Sequence, residues 1–154
     1  MPSTESALPL ALTEPLGRRL VWHGVSLFLL GLVGGMFVSL MVNPRMGVSA
    51  HVGTVLNGTF LVALGAAWSA LALSQRAQRA AFWLLVLSSY GGSLGLFLAA
   101  VLGTRDSTPI HGAAQSASAW REGLVLAVLN VSGLAILVGT ALALWGLGRR
   151  ARRS

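Results

Sequence analysis

Four apolar runs constrain the fold of this chain more than any other feature. They occupy residues 20–42, 48–73, 80–102 and 123–147, and none of the four contains Asp, Glu, Lys or Arg. A helix of about 20 residues crosses the roughly 30 Å hydrocarbon core of a bilayer. Backbone groups in lipid must be hydrogen-bonded within the protein, so these runs are expected to be helices. The sequence therefore predicts an all-α integral membrane protein, a four-transmembrane-helix bundle that spans residues 20–147.

The segments between and outside the runs are polar. Residues 1–19 carry two glutamates and three prolines and are predicted to be a mobile cytoplasmic tail, and residues 148–154 form a basic tail. Pro44 cannot continue the first helix, and the loop 103–122 is long enough to suggest a function. Residues 48–50 resemble a signal-cleavage site, but the preceding apolar run is longer than a signal sequence uses, which favours a retained helix.

The arginines set the expected orientation. Eight of the eleven lie in the N-terminal flank, the second link and the C-terminal tail, which four spans place on one side. The positive-inside rule then puts both termini in the cytoplasm, with the chain in the inner membrane. Four tryptophans fall near the same side, where they would form an aromatic belt: Trp22, Trp68, Trp83 and Trp145.

Charge and composition also exclude several classes of function. The net charge is +7, and the arginines lie at the ends of the apolar runs. This placement is typical of contact with anionic lipid headgroups and not with nucleic acid. The absence of cysteine excludes a disulfide framework, a zinc–thiolate site and an iron–sulfur cluster. Beyond the N-terminal tail the carboxylates are Asp106 and Glu122, too few and too remote for a hydrolytic triad.

A few polar side chains fall within the apolar runs, and two of them open the second one. His51 could donate a hydrogen bond to a backbone carbonyl of a neighbouring helix, or it could bind a metal through its other ring nitrogen. Asn57 is six residues on, about 120° around a helix, so the two do not share a narrow stripe. Gly53 and Gly58 would let another helix or a flat ligand approach closely. The residues alone leave these alternatives open.

His23, Tyr90 and Asn130 are the other polar candidates in the spans. His23 is expected at the cytoplasmic boundary. A haem b electron-transfer protein would need His23 as a second axial ligand beside His51. The predicted topology separates the two histidines by roughly 25–35 Å along the helices, too far for one haem.

The segment AHVGTVLNGTFLVALG, residues 50–65, resembles the signature of a small membrane family whose known activities are hydroxylaminobenzene mutase and styrene oxide isomerase. The match is His51, Gly53 and then Leu56-Asn57-Gly58, without gaps. Other segments resemble the family in the same order: WHG at 22–24, LSQRAQRAAFWL at 73–84, TPIHG at 108–112 with Glu122, and LALWGLGRR at 142–150.

The resemblance implies a four-helix membrane isomerase that acts on small apolar aromatic compounds and forms a homotrimer. It implies that His51 binds the iron of haem b, with Gly53 and Gly58 beside the cofactor, and that Asn57 orients the substrate. The iron would act as a Lewis acid. The two family reactions are the conversion of an N-aryl hydroxylamine to an aminophenol and of an epoxide to a carbonyl compound.

Two positions depart from the family pattern. Leu96 stands where the epoxide-isomerising relative has a tyrosine, and Gly92 replaces an asparagine found in the relatives. These departures argue against epoxide isomerisation by that relative's arrangement, and the loop and C-terminal segments are more similar to the mutase. The sequence thus predicts a membrane isomerase of small aromatic compounds, with either a hydroxylaminobenzene mutase-like reaction or an epoxide-to-carbonyl isomerisation. The alternatives are a non-enzymatic membrane scaffold or transporter subunit, and a haem b electron-transfer protein.

Overall fold

The computed structural model describes residues 15–112 and 115–151, and in this part of the chain the regular structure is entirely helical. Four of its helices are long and apolar enough to cross a membrane, which confirms the predicted all-α class and the four spans. A fifth, single-turn helix lies in the long loop. The helices are α1 (Pro15–Met36), α2 (Pro44–Ala66), α3 (Gln75–Leu102), α4 (Pro109–Gly112) and α5 (Ala119–Ala151).

The helix ends differ from the predicted spans by several residues. α1 begins at Pro15, inside the segment predicted as a tail, and residues 1–14 lie outside the described part. α1 and α2 both end early, because each apolar run finishes in a 3₁₀ turn, Val38–Leu40 and Trp68–Ala70. Hydropathy continues through these turns, so the run alone does not locate the end of the α-helix.

Capping residues explain where the middle helices start. Pro44 is the first residue of α2, where its missing N–H costs nothing, and the Asn43 side chain accepts a hydrogen bond from the Met46 amide at 3.1 Å. Ser74 caps α3 in the same way, through the Ala77 amide at 3.4 Å. Capping therefore extends α2 and α3 beyond the apolar runs at their N-terminal ends.

The long helices pack in chain order. α2 lies against α1 and α3, α3 lies against α5, and α1 and α5 share no contact within the described residues. α1 and α2 approach closely at glycines: a Cβ at Gly24 would lie 2.7 Å from the Gly58 carbonyl oxygen. Close backbone approach at small residues is the usual way for membrane helices to pack.

Trp68 does not belong to an aromatic belt. It is only 1 % exposed and packs edge-to-face on Phe82, with the ring centroids 6.4 Å apart. Its position continues the buried stripe of α2, three residues after Gly65 and seven after Leu61. Trp22, Trp83 and Trp145 are exposed, as expected for lipid-facing or interfacial side chains.

The two ends of the helix array have different chemistry. Arg19 and Arg79 line one recess at the end that holds the N-terminus of α1. At the other end, Glu122 is largely buried, and its carboxylate accepts hydrogen bonds from the Arg105 amide at 3.0 Å and the Asp106 amide at 3.1 Å. This contact ties the long loop to the first turn of α5.

Candidate functional site

His51 lies on the face of α2 that packs against α1. Its Nδ1 atom is 2.8 Å from the carbonyl oxygen of Gly31. A carbonyl oxygen only accepts hydrogen bonds, so Nδ1 carries the proton and donates. In the neutral imidazole, Nε2 then keeps its lone pair. His51 thus makes the hydrogen bond to a neighbouring helix that was the first alternative for this residue. Nε2, the nitrogen that would bind a metal in the second alternative, does not take part in that bond.

The imidazole rests directly on a glycine of α1. A Cβ at Gly35 would lie 2.5 Å from Nδ1 and 2.9 Å from Cε1 of His51, closer than side-chain atoms pack. No other residue type leaves room for the ring in this position. The glycine and the carbonyl together fix both the place and the tautomer of the ring.

Asn57 faces the opposite neighbour, α3. Its Nδ2 atom lies 3.4 Å from the Ser93 hydroxyl and 3.5 Å from the Ser89 carbonyl oxygen. These are long hydrogen bonds, which hold the amide weakly. Because His51 and Asn57 are separated by about 120° around α2, as predicted, His51 contacts α1 and Asn57 contacts α3.

The two glycines of the motif have different surroundings. A Cβ at Gly58 would lie 2.6 Å from the Phe28 amide nitrogen, so the backbone of α1 fills the space beside it. Gly53 faces the side chain of Leu96, whose Cδ1 would lie 2.9 Å from such a Cβ. The close approach predicted at both glycines occurs, and in both cases the partner is a neighbouring helix.

His23 of α1 packs against α3. Its ring is half-buried, and the Tyr90 hydroxyl donates to the His23 carbonyl oxygen at 3.3 Å and lies 3.5 Å from Nδ1. His51 contacts α1 eight to twelve residues beyond His23, or about 12–18 Å along the axis. The histidines are therefore closer than the predicted 25–35 Å, yet still too far apart to bind one iron. Asn130 is exposed on α5.

A cavity of about 710 Å³ lies between α1 and α3, with α2 as its floor. This volume is in the range of small-molecule sites. Its wall is almost entirely apolar, with Leu27, Leu30, Val33, Phe37, Leu87, Leu94 and Phe97 among the lining residues. Neither His51 nor Asn57 lines it.

Thr54 provides the floor of that cavity, and sequence reasoning missed it. It lies midway between His51 and Asn57 on α2, three residues from each. A threonine in an apolar run is a common helix residue, and nothing in the motif distinguishes Thr54 from Thr59. Only the burial of its hydroxyl does so, and burial depends on tertiary packing.

The family model described as styrene oxide isomerase matches residues 16–148, which contain all four long helices almost completely. The chain belongs to the styrene oxide isomerase family. This confirms the resemblance carried by residues 50–65, and it confirms the prediction that the chain is an isomerase.

Two curated relatives from Ectopseudomonas oleovorans share the same segment. The chain is 44 % identical to hydroxylaminobenzene mutase HabB over 134 residues, which cover 86 % of this chain and 82 % of HabB. It is 46 % identical to hydroxylaminobenzene mutase HabA over 80 residues, 52 % of this chain and 59 % of HabA. No solved structure matches the chain.

Proposed function

We propose that the chain is a membrane-embedded hydroxylaminobenzene mutase, which converts an N-aryl hydroxylamine to an aminophenol. The observation that carries this proposal is the 44 % identity to HabB across 82 % of that enzyme. In such a reaction the N–O bond breaks and a C–O bond forms at the ortho ring carbon. The proton released from that carbon ends on nitrogen, so no outside oxidant or reductant is needed.

The donor set around His51 fits a haem group. Within the described residues no three His, Cys, Asp or Glu side chains come together, so a protein cage for a bare metal ion is not available there. A single imidazole suffices for haem, which brings four nitrogen ligands of its own. Histidines that bind metals usually donate their other N–H to a carbonyl or carboxylate, as Nδ1 of His51 does to Gly31.

We assign haem b to the Nε2 atom of His51 on this basis. The group would supply a Lewis-acidic iron with one open coordination position. The chain itself holds the imidazole in one tautomer. Its apolar helices would keep water from a reactive cationic intermediate. Asn57 orients the substrate, because its amide is held only by long hydrogen bonds and can exchange them for a substrate oxygen or nitrogen.

Leu96 favours the mutase reaction over epoxide isomerisation. The resemblance puts a substrate-facing tyrosine of the epoxide-isomerising relative at this position. In this chain Leu96 packs on Gly53 and offers no hydroxyl there. Tyr90 does not replace it, since its hydroxyl is directed at His23 of α1.

The same proposal includes an inner-membrane location with both termini in the cytoplasm. The positive-inside rule supports this orientation, because Arg19 and Arg79 meet at one end of the helix array. A homotrimer is proposed as well. α5 is well suited to contact lipid or a second copy, since only 11 % of its apolar window is buried within one chain.

The test is product formation by the purified full-length protein. Phenylhydroxylamine and styrene oxide are supplied separately to haem-loaded protein in lipid nanodiscs, and products are separated by chromatography. We expect 2-aminophenol from the first and little phenylacetaldehyde from the second. His111→Ala is the matched control, because that histidine is exposed in the loop and should leave turnover unchanged. Absence of aminophenol from haem-loaded protein would contradict the proposal.

A further inference from the structure

The recess at the end where α1 and α3 begin combines positive charge with apolar surface. Its volume is about 400 Å³, and Arg19 of α1 and Arg79 of α3 both line it. Three apolar side chains line it as well: Leu16, Phe82 and Trp83. Phe82 is almost completely buried, whereas the Trp83 ring is largely exposed on the outer surface. The recess therefore offers charge and apolar surface to the same ligand.

The charge of the two arginines is not balanced within the described part of the chain. In residues 15–112 and 115–151 the carboxylates are those of Asp106 and Glu122, and both belong to the loop end of the array. The ion pair found in these residues joins Asp106 to Arg105. Arg19 and Arg79 thus have no acidic partner there. Like charges around one recess repel each other, and an anion bound between them would remove that repulsion.

The depth of the recess identifies the membrane layer that can supply an anion. Arg19 and Arg79 are each the last residue before an apolar run, residues 20–42 and 80–102. This position places both guanidinium groups at the level of the lipid headgroups. Phosphodiester groups are the anions of that layer, and a guanidinium group binds phosphate oxygens through two parallel hydrogen bonds. The acyl chain of the same lipid would cover the apolar part of the recess, which a free phosphate ion would leave exposed.

The start of α3 adds to the positive potential of the recess. Gln75 is the first residue of α3 and lines the recess. The start of a long helix carries partial positive charge, because its first amides have no carbonyl partner in the helix. The Ser74 side chain accepts only one of these amides, that of Ala77. The potential therefore favours a lipid of net negative charge over a zwitterionic lipid, whose ammonium group it would repel.

We propose that this recess is a binding site for an anionic phospholipid. The phosphate lies between Arg19 and Arg79, and an acyl chain lies against Trp83. One lipid bound in this way bridges the starts of α1 and α3. The argument uses only charge, depth and shape, and it is independent of the reaction that the protein catalyses.

The experiment is a lipid titration of the purified full-length protein in detergent, followed by native mass spectrometry. Phosphatidylglycerol and phosphatidylcholine with identical acyl chains are titrated separately, and a dissociation constant is obtained for the first lipid bound. We expect wild type to bind phosphatidylglycerol about tenfold more tightly than phosphatidylcholine. The double variant Arg19→Gln/Arg79→Gln should bind phosphatidylglycerol about tenfold to 100-fold more weakly than wild type, because both charge-assisted contacts to the phosphate are lost.

A matched control separates the recess from the general positive charge of this end. The double variant Arg18→Gln/Arg76→Gln removes the same charge from the same two helices, at exposed positions that do not line the recess. Its affinity for phosphatidylglycerol should stay within about threefold of wild type, because solvent and salt screen these groups. An equal loss of affinity in the two double variants would overturn the inference, since the lipid would then respond to charge alone.

Two further results would overturn the inference. One is a wild-type affinity for phosphatidylglycerol in a folded Arg19→Gln/Arg79→Gln protein. The other is displacement of phosphatidylglycerol by millimolar inorganic phosphate, which would make the recess an anion site that does not recognise a lipid. If the double variant does not fold, the single variants Arg19→Gln and Arg79→Gln give the same comparison, each with a smaller loss of affinity.

Discussion

The Nδ1 atom of His51 donates a hydrogen bond to the carbonyl oxygen of Gly31, and this contact joins α2 to α1 at 2.8 Å. The carbonyl of residue 31 in a helix points toward residue 35, one turn on. An imidazole that bonds to Gly31 must therefore lie over residue 35, which is a glycine. The pair of glycines on α1 and the histidine on α2 form one unit, and each member fits because of the others.

Gly35→Ala should displace the imidazole. The added Cβ would lie 2.5 Å from Nδ1, and overpacking of this kind costs about 1–3 kcal/mol. We expect a lower midpoint of thermal unfolding in detergent and less haem bound per protein. Gly133→Ala is the control, since a Cβ there meets nothing within 4 Å and the change should be neutral or slightly stabilising. Equal haem content in Gly35→Ala and wild type would show that ring position is not critical.

Asn57→Ala should separate catalysis from stability. The amide makes only hydrogen bonds of 3.4–3.5 Å, so its loss should cost less than about 1 kcal/mol of unfolding free energy. Turnover of phenylhydroxylamine should fall about tenfold to 100-fold, because the substrate loses an orienting contact. Asn130→Ala, at an exposed site on α5, controls for loss of an amide within a span. An Asn57→Ala protein that is unstable but as active as wild type per folded molecule would reverse this assignment.

Leu96→Tyr should raise the rate of styrene oxide isomerisation. The substitution introduces a phenol beside Gly53, at the position where the epoxide-isomerising relative is inferred to have one. A positioned donor to a developing negative charge typically accelerates a reaction by tenfold or more, so we expect a gain of about tenfold. Val101→Tyr, on an exposed face of α3, should produce no gain. Unchanged epoxide turnover in Leu96→Tyr would mean that other residues block this reaction.

Glu122→Gln should loosen the end of the array without affecting chemistry. The carboxylate accepts two backbone amides while nearly buried, and charge-assisted bonds of this type contribute about 1.5–3 kcal/mol. The midpoint of thermal unfolding should fall by several degrees. Asp106→Asn is the matched control, because its ion pair with Arg105 is exposed and 3.7 Å long and should contribute little. A drop in turnover larger than the loss of folded protein would point to a catalytic role for the loop.

Periodicity and hydropathy predicted the class of this fold and several of its contacts. The four apolar runs correspond to the four long helices. The predicted 120° between His51 and Asn57 agrees with the structure, in which His51 contacts α1 and Asn57 contacts α3. Both results follow from distances along a single helix. The C-terminal ends of α1 and α2 could not be predicted from hydropathy, because the apolar runs continue through the 3₁₀ turns that follow these helices.

The burial of individual side chains depends on how the helices pack, and it could not be predicted from hydropathy. Trp68 is buried against Phe82, and hydropathy alone cannot distinguish a buried tryptophan from a lipid-facing one. Thr54 and Thr59 look alike in the sequence, yet the first is an orphaned buried hydroxyl and the second bonds to its own helix.

The central claim is that His51 binds haem iron through Nε2, and an absorption spectrum tests it most directly. Wild type, His51→Ala and the exposed-site control His111→Ala are purified at equal concentration after growth with added haem precursor. We predict a strong Soret band of equal height for wild type and His111→Ala, and its loss in a folded His51→Ala protein. A Soret band of wild-type height and position in His51→Ala would contradict the account.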